Sequence, residues 1–566
     1  MIARQQPRVA KGTALMLYLS TLCLISSRAT AWVINVPSLQ QQQKQRPFQR
    51  QLSSPIPRTA MQMTTATSPA STTTAATATA GTINDPRPLS TVIVGGGPAG
   101  LAVALMLARR GYQDITVLER LSEPPPPSSD QWGNPERSYN LGIGGRGQVS
   151  LAEIGAADRV ISWCAEAVGR MDWSPETPEG TERIFTERKY KTKVIARDRL
   201  TSCLIEEARE TYPDAITVRF DVECTGAKWL ELESGGNRKG ATLTLKNDLD
   251  GETTELTAEF IVGADGVKSA IRDDLESDKA LTKALSGGEV RVKRFPRKNE
   301  FAYKVVPFKL KAGWRNDFNY SVRTKEEINL EALPTKEGMQ VGVLLHRPGD
   351  KRVSGLKDAA GARAMFEDLF PQFADMVTTE AYERLALQKT SRLPAFSYTG
   401  PILHLGKSAV LLGDAIKSVK PYFGLGANTA FEDCIVLGRR CLEETGDDMA
   451  AALPLYSRRR APEAKDLVEL SRGFDRTGVA SFFGFVLPLI LDAVFNRAAP
   501  KVFAPNTIAF LQKEGVTFRY VRLRKALDRV VQGAVLGAAG VAAFAALRAG
   551  VRFLLPVVLS ALAAIR

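Results

Sequence analysis

Residues 91–120, TVIVGGGPAGLAVALMLARRGYQDITVLER, limit the fold of this chain more than any other stretch. Residues 91–94 read as a short, buried, β-rich strand, and Gly95-x-Gly97-x-x-Gly100 makes a turn. From Pro98 the spacing is helical, with Leu101, Ala104, Leu105 and Ala108 on one side. Residues 115–118 form a second strand, which ends at Glu119 and Arg120. In this βαβ pattern the first glycine permits the tight turn. The second lets backbone approach a pyrophosphate, and the third lets helix pack on strand. Pro98 and Ala99 open the helix, whose free N–H groups and positive dipole end suit phosphate. Glu119 is placed to accept from a ribose 2′-OH, which favours FAD or NAD over a 2′-phosphorylated cofactor.

The chain has 566 residues, enough for two or three domains. Its net charge of +14 suggests nucleic acid only until the charge is mapped. Residues 1–84 hold eight Lys or Arg and no acid, so the leader carries +8 of that total. No nucleic-acid motif accompanies the rest, and nucleic acid is excluded as a partner. The six cysteines lack metal spacing and the chain has two histidines, so neither a zinc site nor a Ser-His-Asp triad is expected. Reduced structural thiols are the expectation.

At the N-terminus, Arg4, Arg8 and Lys11 precede the apolar run 14–25, and Ala29-Thr30-Ala31 offers a cleavage site. Residues 1–31 therefore read as a signal peptide. Residues 32–85 are rich in Gln, Ser, Thr and Ala and read as a disordered transit peptide. The pair resembles the bipartite presequences of algae with complex plastids. An ordinary signal peptide with a disordered spacer is the alternative.

Beyond the βαβ unit, residues 123–135 with their proline run suggest an exposed polyproline-like insertion. Helices are expected at 148–157, 197–209 and 359–370, and strands at 216–220, 242–245, 256–261, 302–308, 318–322 and 340–346. Residues 260–272, FIVGADGVKSAIR, run a strand into Asp265 and Gly266, which suit a close turn and a ribose or phosphate-linked water. Residues 410–433, VLLGDAIKSVKPYFGLGANTAFED, end a strand at Gly413-Asp414. A loop through Pro421, Gly424 and Gly426 then opens a helix at Ala427-Asn428. Asp414 suits a ribityl or ribose hydroxyl, and the helix start can stabilise negative charge on a reduced ring.

In this order and spacing, the three motifs resemble the class A flavoprotein monooxygenases over residues 89–476. RSYNLGIGGRG (137–147), ARDRL (196–200) and PYFGLGANTAFEDC (421–434) resemble the kynurenine 3-monooxygenase branch. The resemblance implies FAD, NAD(P)H as co-substrate, O2, and hydroxylation of an aromatic or apolar small molecule through a flavin C4a-hydroperoxide. It requires no catalytic side chain and no metal. Arg137 and Arg197 should face FAD, as should Asp414, Ala427 and Asn428. Arg170 aligns with the branch's substrate-carboxylate arginine. Phe185 stands where a substrate-contacting Tyr is usual, and Phe474 and Thr477 where Asn and Glu are. Lys417 replaces a common His, and Leu425 a common Gln. These departures imply a poor fit for kynurenine and a more apolar substrate, with a single carboxylate opposite Arg170.

The expected fold is α/β: a Rossmann-type FAD-binding domain interleaved with an antiparallel β-sheet substrate domain (about 160–195 and 285–400), together spanning 86–476. A helical region (477–529) and a membrane anchor (530–566) follow. Residues 530–547 have Gln532 as their one polar side chain, and Arg519, Arg522, Arg524, Lys525 and Arg529 form a basic collar suited to anionic headgroups. A buried helix of a soluble domain is the alternative. A plastid isoprenoid epoxidase and a membrane-tethered flavoprotein interaction module without turnover are the rival functions. A fluorescent fusion of residues 1–85 is expected to reach the plastid of an alga with a complex plastid. Secretion, ER retention or a mitochondrial outer-membrane location would count against the presequence reading.

Overall fold

The computed structural model describes residues 87–129, 139–185, 189–230, 240–297, 299–421, 424–473, 475 and 481–564. The expected presequence, Arg137, Phe474 and Thr477 lie outside them.

Strand β1 (Thr91–Val94) sits inside a six-stranded sheet. It pairs in parallel with β2 (Ile115–Leu118) on one side and with Phe260–Gly263 on the other. Parallel pairing extends outward to Ile216–Arg219 and Ala409–Leu411, and His404–Leu405 closes one edge antiparallel. All four β1 residues are buried, as befits a strand covered on both faces. Helix α1 (Pro98–Arg109) packs on this sheet with Leu101 through Leu107 inside. The expected single strand 256–261 is two: Thr253–Ala258 joins an antiparallel ribbon, and Phe260–Gly263 enters the parallel sheet. Glu259 marks the crossing, and its side chain accepts from Leu89 N at 2.9 Å.

Strand β3 (Asn140–Ile143) belongs to a small antiparallel sheet with Thr192–Ala196 and Ala165–Ala167. It leads into α2 (Gly145–Glu153), which ends earlier than the sequence predicts. Strand Thr192–Ala196 runs directly into α3 (Arg197–Thr211). The proline run is not a free insertion. Ser202 Oγ donates to Pro125 O at 2.6 Å, Arg199 Nε donates to Pro127 O at 2.9 Å, and Pro127 is buried. These bonds lay the segment along α3.

A seven-stranded sheet forms the second layer. It contains β4 (Gly169–Ser174), β5 (Thr177–Ile184), β6 (Ala302–Lys309), β7 (Phe318–Val322), β8 (Asn329–Pro334) and β9 (Met339–His346), with Ser391–Arg392 at one edge. All pairs are antiparallel except β4 with β7, which run parallel. The hairpin β4–β5 comes from a part of the chain remote from the other strands, so no hairpin turn dictates its direction. Val306, Phe308, Phe318, Tyr320 and Leu344 pack one face of the sheet against helices Ala359–Leu369 and Thr379–Leu387. By strand alternation the opposite face carries Tyr303, Leu345, Glu331, Ser321, Asn319, Asp172 and Arg170.

Helices α4 (Leu425–Leu437) and α5 (Met449–Gly473) complete the first layer. The last helix, α6 (Phe518–Ala564), is 47 residues long and contains the whole basic collar. Four of the five collar cations are engaged within the protein. Arg522 pairs with Asp466 and Glu469, Lys525 with Asp492 and Asp528, and Arg529 with Asp492. Arg524 reaches Asp528 at 3.3 Å. Thus the collar docks the helix on the body instead of standing ready for headgroups. Beyond it α6 is exposed, with Val541 at 72% and Phe544 at 68%, and its apolar window has a mean hydropathy of 2.0.

The approach at Gly100 is far below van der Waals distance: a Cβ there would sit 1.8 Å from Gly95 O. Overpacking of this order costs about 1–3 kcal/mol or more. Gly100→Ala is therefore expected to lower the melting temperature by several degrees in a thermal unfolding experiment, whether or not flavin is present.

Candidate functional site

Gly95 has φ +105°, and a Cβ there would lie 2.5 Å from Ala264 O. The first glycine is thus required by turn and packing together, as the third is by packing. Gly97 differs. Around a Cβ built there, one side-chain atom comes within 4 Å, Arg197 Nη2 at 3.6 Å. Gly97 caps α1, so the helix N-terminus opens onto a space faced by a guanidinium. This is an anion cradle of backbone N–H groups plus a fixed cation.

Across the cradle, the turn Gly413–Ala415 brings Asp414 between two helix starts. A Cβ on Gly413 would meet Ala99 Cβ of α1 at 3.0 Å and Ala430 Cβ of α4 at 3.7 Å. The Asp414 carboxyl is solvent-accessible yet deep in the protein. Burial raises it above the usual carboxylate range, against the pull of Lys417 and Arg197 and with Asp433 adding to the rise. Helix α4 starts from Gly424 at φ +62°, and a Cβ on Gly426 would meet nothing within 4 Å. Half-buried Ala427 follows, while Pro421 lies exposed at the mouth of the loop.

Glu119 Oε2 accepts from Gly96 N and Oε1 from Leu121 N, both at 2.9 Å, so the carboxylate is held at the end of β2 with lone pairs to spare. Arg120 beside it is exposed. Two expected contacts have other partners. Asp265 Oδ2 accepts from Ala270 N at 2.7 Å and Ile271 N at 3.3 Å, capping its own helix, while Oδ1 is buried without a hydrogen-bond partner among the described residues. Gly266, at φ +78°, makes the turn the sequence predicts. The Asn428 amide is wholly engaged. Its Oδ1 accepts from Gly144 N (3.0 Å) and Gly147 N (3.1 Å), and Nδ2 donates to Gly142 O (2.8 Å) and Gly424 O. Asn428 holds the β3–α2 turn against α4, and no amide atom is left for a ligand.

Beneath the Asp414 turn lies a buried charge cluster that sequence reading missed. Asp433 is 0% exposed and pairs with both Lys417 and Arg460. It also accepts from Gly413 N at 2.9 Å. An acid pair, Glu432-Asp433, inside a helix that is mostly apolar was the available signal, but the cations on Asp433 lie 16 and 27 residues away in sequence. Arg460 continues to Glu432 at 3.3 Å, and Glu432 to Arg146 at 2.6 Å. Tyr139 is a second omission. Its ring meets Tyr303 of the seven-stranded sheet edge-on at 6.2 Å, and burial raises its hydroxyl, with Arg197 opposing and Asp414 reinforcing. It therefore joins the cradle to the second layer, as does Asn140, whose Nδ2 donates to Leu333 O and Pro334 O at 3.2 Å.

Arg170 lies on the sheet face that carries Tyr303, but it is not unpaired. Nε donates to Asp172 Oδ1 at 2.7 Å, Nη2 pairs with the same oxygen, and Glu331 Oε2 is 3.8 Å away. Burial works against its charge, and Glu331 and Asp172 outweigh burial, leaving the guanidinium above its ordinary value. Phe185 is half-buried just beyond β5, with its N–H donated to Val168 O.

Losing one member of a buried ion pair costs about 3–5 kcal/mol, since the partner charge stays uncompensated. Asp433→Ala is expected to destabilise the protein by that order in chemical denaturation. The triple variant Asp433→Leu/Lys417→Met/Arg460→Met should recover part of the loss.

A family model described as "FAD binding domain" matches residues 89–471. Kynurenine 3-monooxygenase of Salinispora tropica is 29% identical over 476 residues, 81% of this chain and 97% of the relative. Its counterpart in Anopheles gambiae is 26% identical over 450 residues, 75% of this chain and 82% of the relative. Among solved structures, 2-methyl-3-hydroxypyridine-5-carboxylic acid oxygenase shares the fold at TM-score 0.52 and 19% identity, covering 70% of this chain and 95% of that one. With the glycine cradle, the paired helix starts and this match in agreement, the chain belongs to the FAD binding domain family and is a flavin-dependent, aromatic-type monooxygenase similar to kynurenine 3-monooxygenase.

Proposed function

We propose that the protein hydroxylates an aromatic or apolar small molecule, using NAD(P)H as reductant and O2 as oxygen source. The observation that carries this reading is the convergence of Arg197 and the α1 N-terminus at Gly97 with Asp414 between the starts of α1 and α4. These residues fit FAD: the cradle at Gly97 is open where a pyrophosphate needs backbone approach, and Asp414 presents an acceptor to solvent from a deep position.

Arg197 and the N–H groups at Gly97, Pro98-Ala99 and Gly100 hold the pyrophosphate, Pro98 contributing its preset φ and no donor. Glu119 would orient the adenosine ribose, and Asp414 would accept from a ribityl hydroxyl. The α4 start at Gly426-Ala427 would offer N–H groups and a positive dipole end to negative charge on the ring system. Asn428 fixes the turn 142–147 against that start. When bound, FAD supplies hydride acceptance and oxygen activation. The protein orients the substrate, excludes water, and keeps the sheet face bearing Tyr303 over the cleft.

Substitution of the amino-acid-binding positions by Phe185, Phe474 and Thr477 supports a substrate more apolar than kynurenine. A pocket that lacks hydrogen-bond partners for an ammonium group leaves it unpaired, at about 1–3 kcal/mol. The exposed apolar part of α6 supports attachment to a membrane, and the presequence supports a plastid address.

Protein lacking residues 1–84 is expected to purify yellow. Arg197→Ala removes a charge-assisted bond of about 1.5–3 kcal/mol, so FAD affinity should fall ten- to a hundredfold in a fluorescence titration. Gly97→Val should abolish flavin retention. Undiminished occupancy in both variants, or no substrate-dependent NAD(P)H oxidation with any aromatic tested, would refute the proposal.

A further inference from the structure

Arg170 is on the same sheet face as Tyr303, whose ring meets Tyr139 beside the cradle; it is in register with Asn319 of β7, and Asp172 with Ser321. Asp172 engages two nitrogens of the guanidinium, and Glu331 stands 3.8 Å from one of them. Ser321 Oγ donates to Glu331 Oε1 at 2.7 Å, which fixes the glutamate on this face. Arg183 is the other nearby cation. It lies 3.8 Å from Asp172, at the outer edge, and is 42% exposed. The four ionised groups sum to zero, and the inner three sum to −1. Asn319 Oδ1 is buried with no partner among the described residues.

We infer that this cluster selects a neutral substrate bearing N–H or O–H donors and rejects a carboxylate. The inference rests on the proposed function for placing substrate on this face. A third carboxylate brought to Arg170 would meet two already there, in a setting where charges are weakly screened. An arylamine, phenol or carboxamide would instead donate to the part-exposed Glu331 carboxylate at Oε2. The geometry also makes Asp172 and Glu331 specificity-determining residues: they mask the charge that an anionic substrate needs. The sequence-based expectation of a carboxylate opposite Arg170 is thereby reversed, because neither Asp172, two residues on, nor Glu331, on another strand, is read as its partner until the sheet is assembled.

The test uses matched ligands, 2-aminobenzamide and 2-aminobenzoate, titrated calorimetrically at pH 7.5 into the detergent-solubilised, full-length, FAD-loaded protein. The amide is expected to bind at least tenfold tighter than the acid. The Asp172→Asn/Glu331→Gln variant should bind the acid at least tenfold tighter than wild type does, by unmasking Arg170. Tighter binding of the acid by wild type, equal binding, or no binding of either ligand overturns the inference. If the double variant does not fold, the wild-type comparison still decides. Calorimetry requires no turnover, so absence of NAD(P)H oxidation would count against the proposed function while leaving this preference measurable.

Discussion

Asp433 is the group on which the flavin side of the molecule depends. Its carboxylate is sealed from water and binds Lys417, Arg460 and the N–H of Gly413 together. Three segments far apart in sequence are thereby fixed to one point: the turn bearing Asp414, helix α4, and helix α5. Isolated in the interior, any of these charges would cost several kcal/mol. Joined, they keep the Gly413–Ala415 turn in place between two helix starts. Because Arg460 goes on to Glu432 and Arg146, the same network reaches α2. From there Arg146 Nε reaches Leu511 O at 3.0 Å, just before α6.

Local chemistry was legible in the sequence and long-range chemistry was not. The glycines of the first turn, the strand that follows α1 and the helix after Gly424 declared themselves because turn, strand and helix signals are written in adjacent residues. The β4–β5 hairpin was missed for the opposite reason: TPEGTERI has no apolar alternation, the alternation of RMDWS rests on Met171 and Trp173 alone, and both become strands by joining the sheet at β7. Asn428 was legible as part of a helix start expected to face FAD. The second task of its amide, holding the turn 142–147, was not, because that turn lies 281 to 286 residues away in sequence.

Several contacts between the two layers have distinct chemistry. Tyr139 presents a ring to Tyr303, and Asn140 donates to two carbonyls of β8. On the other side, Arg199 spans Pro127 O and Glu337, the latter in the β8–β9 turn, while stacking on Trp163 at 4.6 Å. Aromatic and charge-assisted contacts have directional preferences that aliphatic packing lacks. Such contacts fix the orientation of the second layer on the first more narrowly than aliphatic packing would.

Helix α6 has a mechanical consequence. At about 1.5 Å per residue it is a rod of roughly 70 Å, rooted by Glu463 at its first turn and by Asp466, Glu469 and Asp492 over the next three. No loop separates the rooted part from the exposed part. Were its apolar length embedded in a bilayer, the body could not swivel as a tethered sphere does. It would stand at one height and one tilt, with the cleft mouth always presented to the same depth of the interface, so the partitioning depth of a substrate would become a selection criterion alongside its shape.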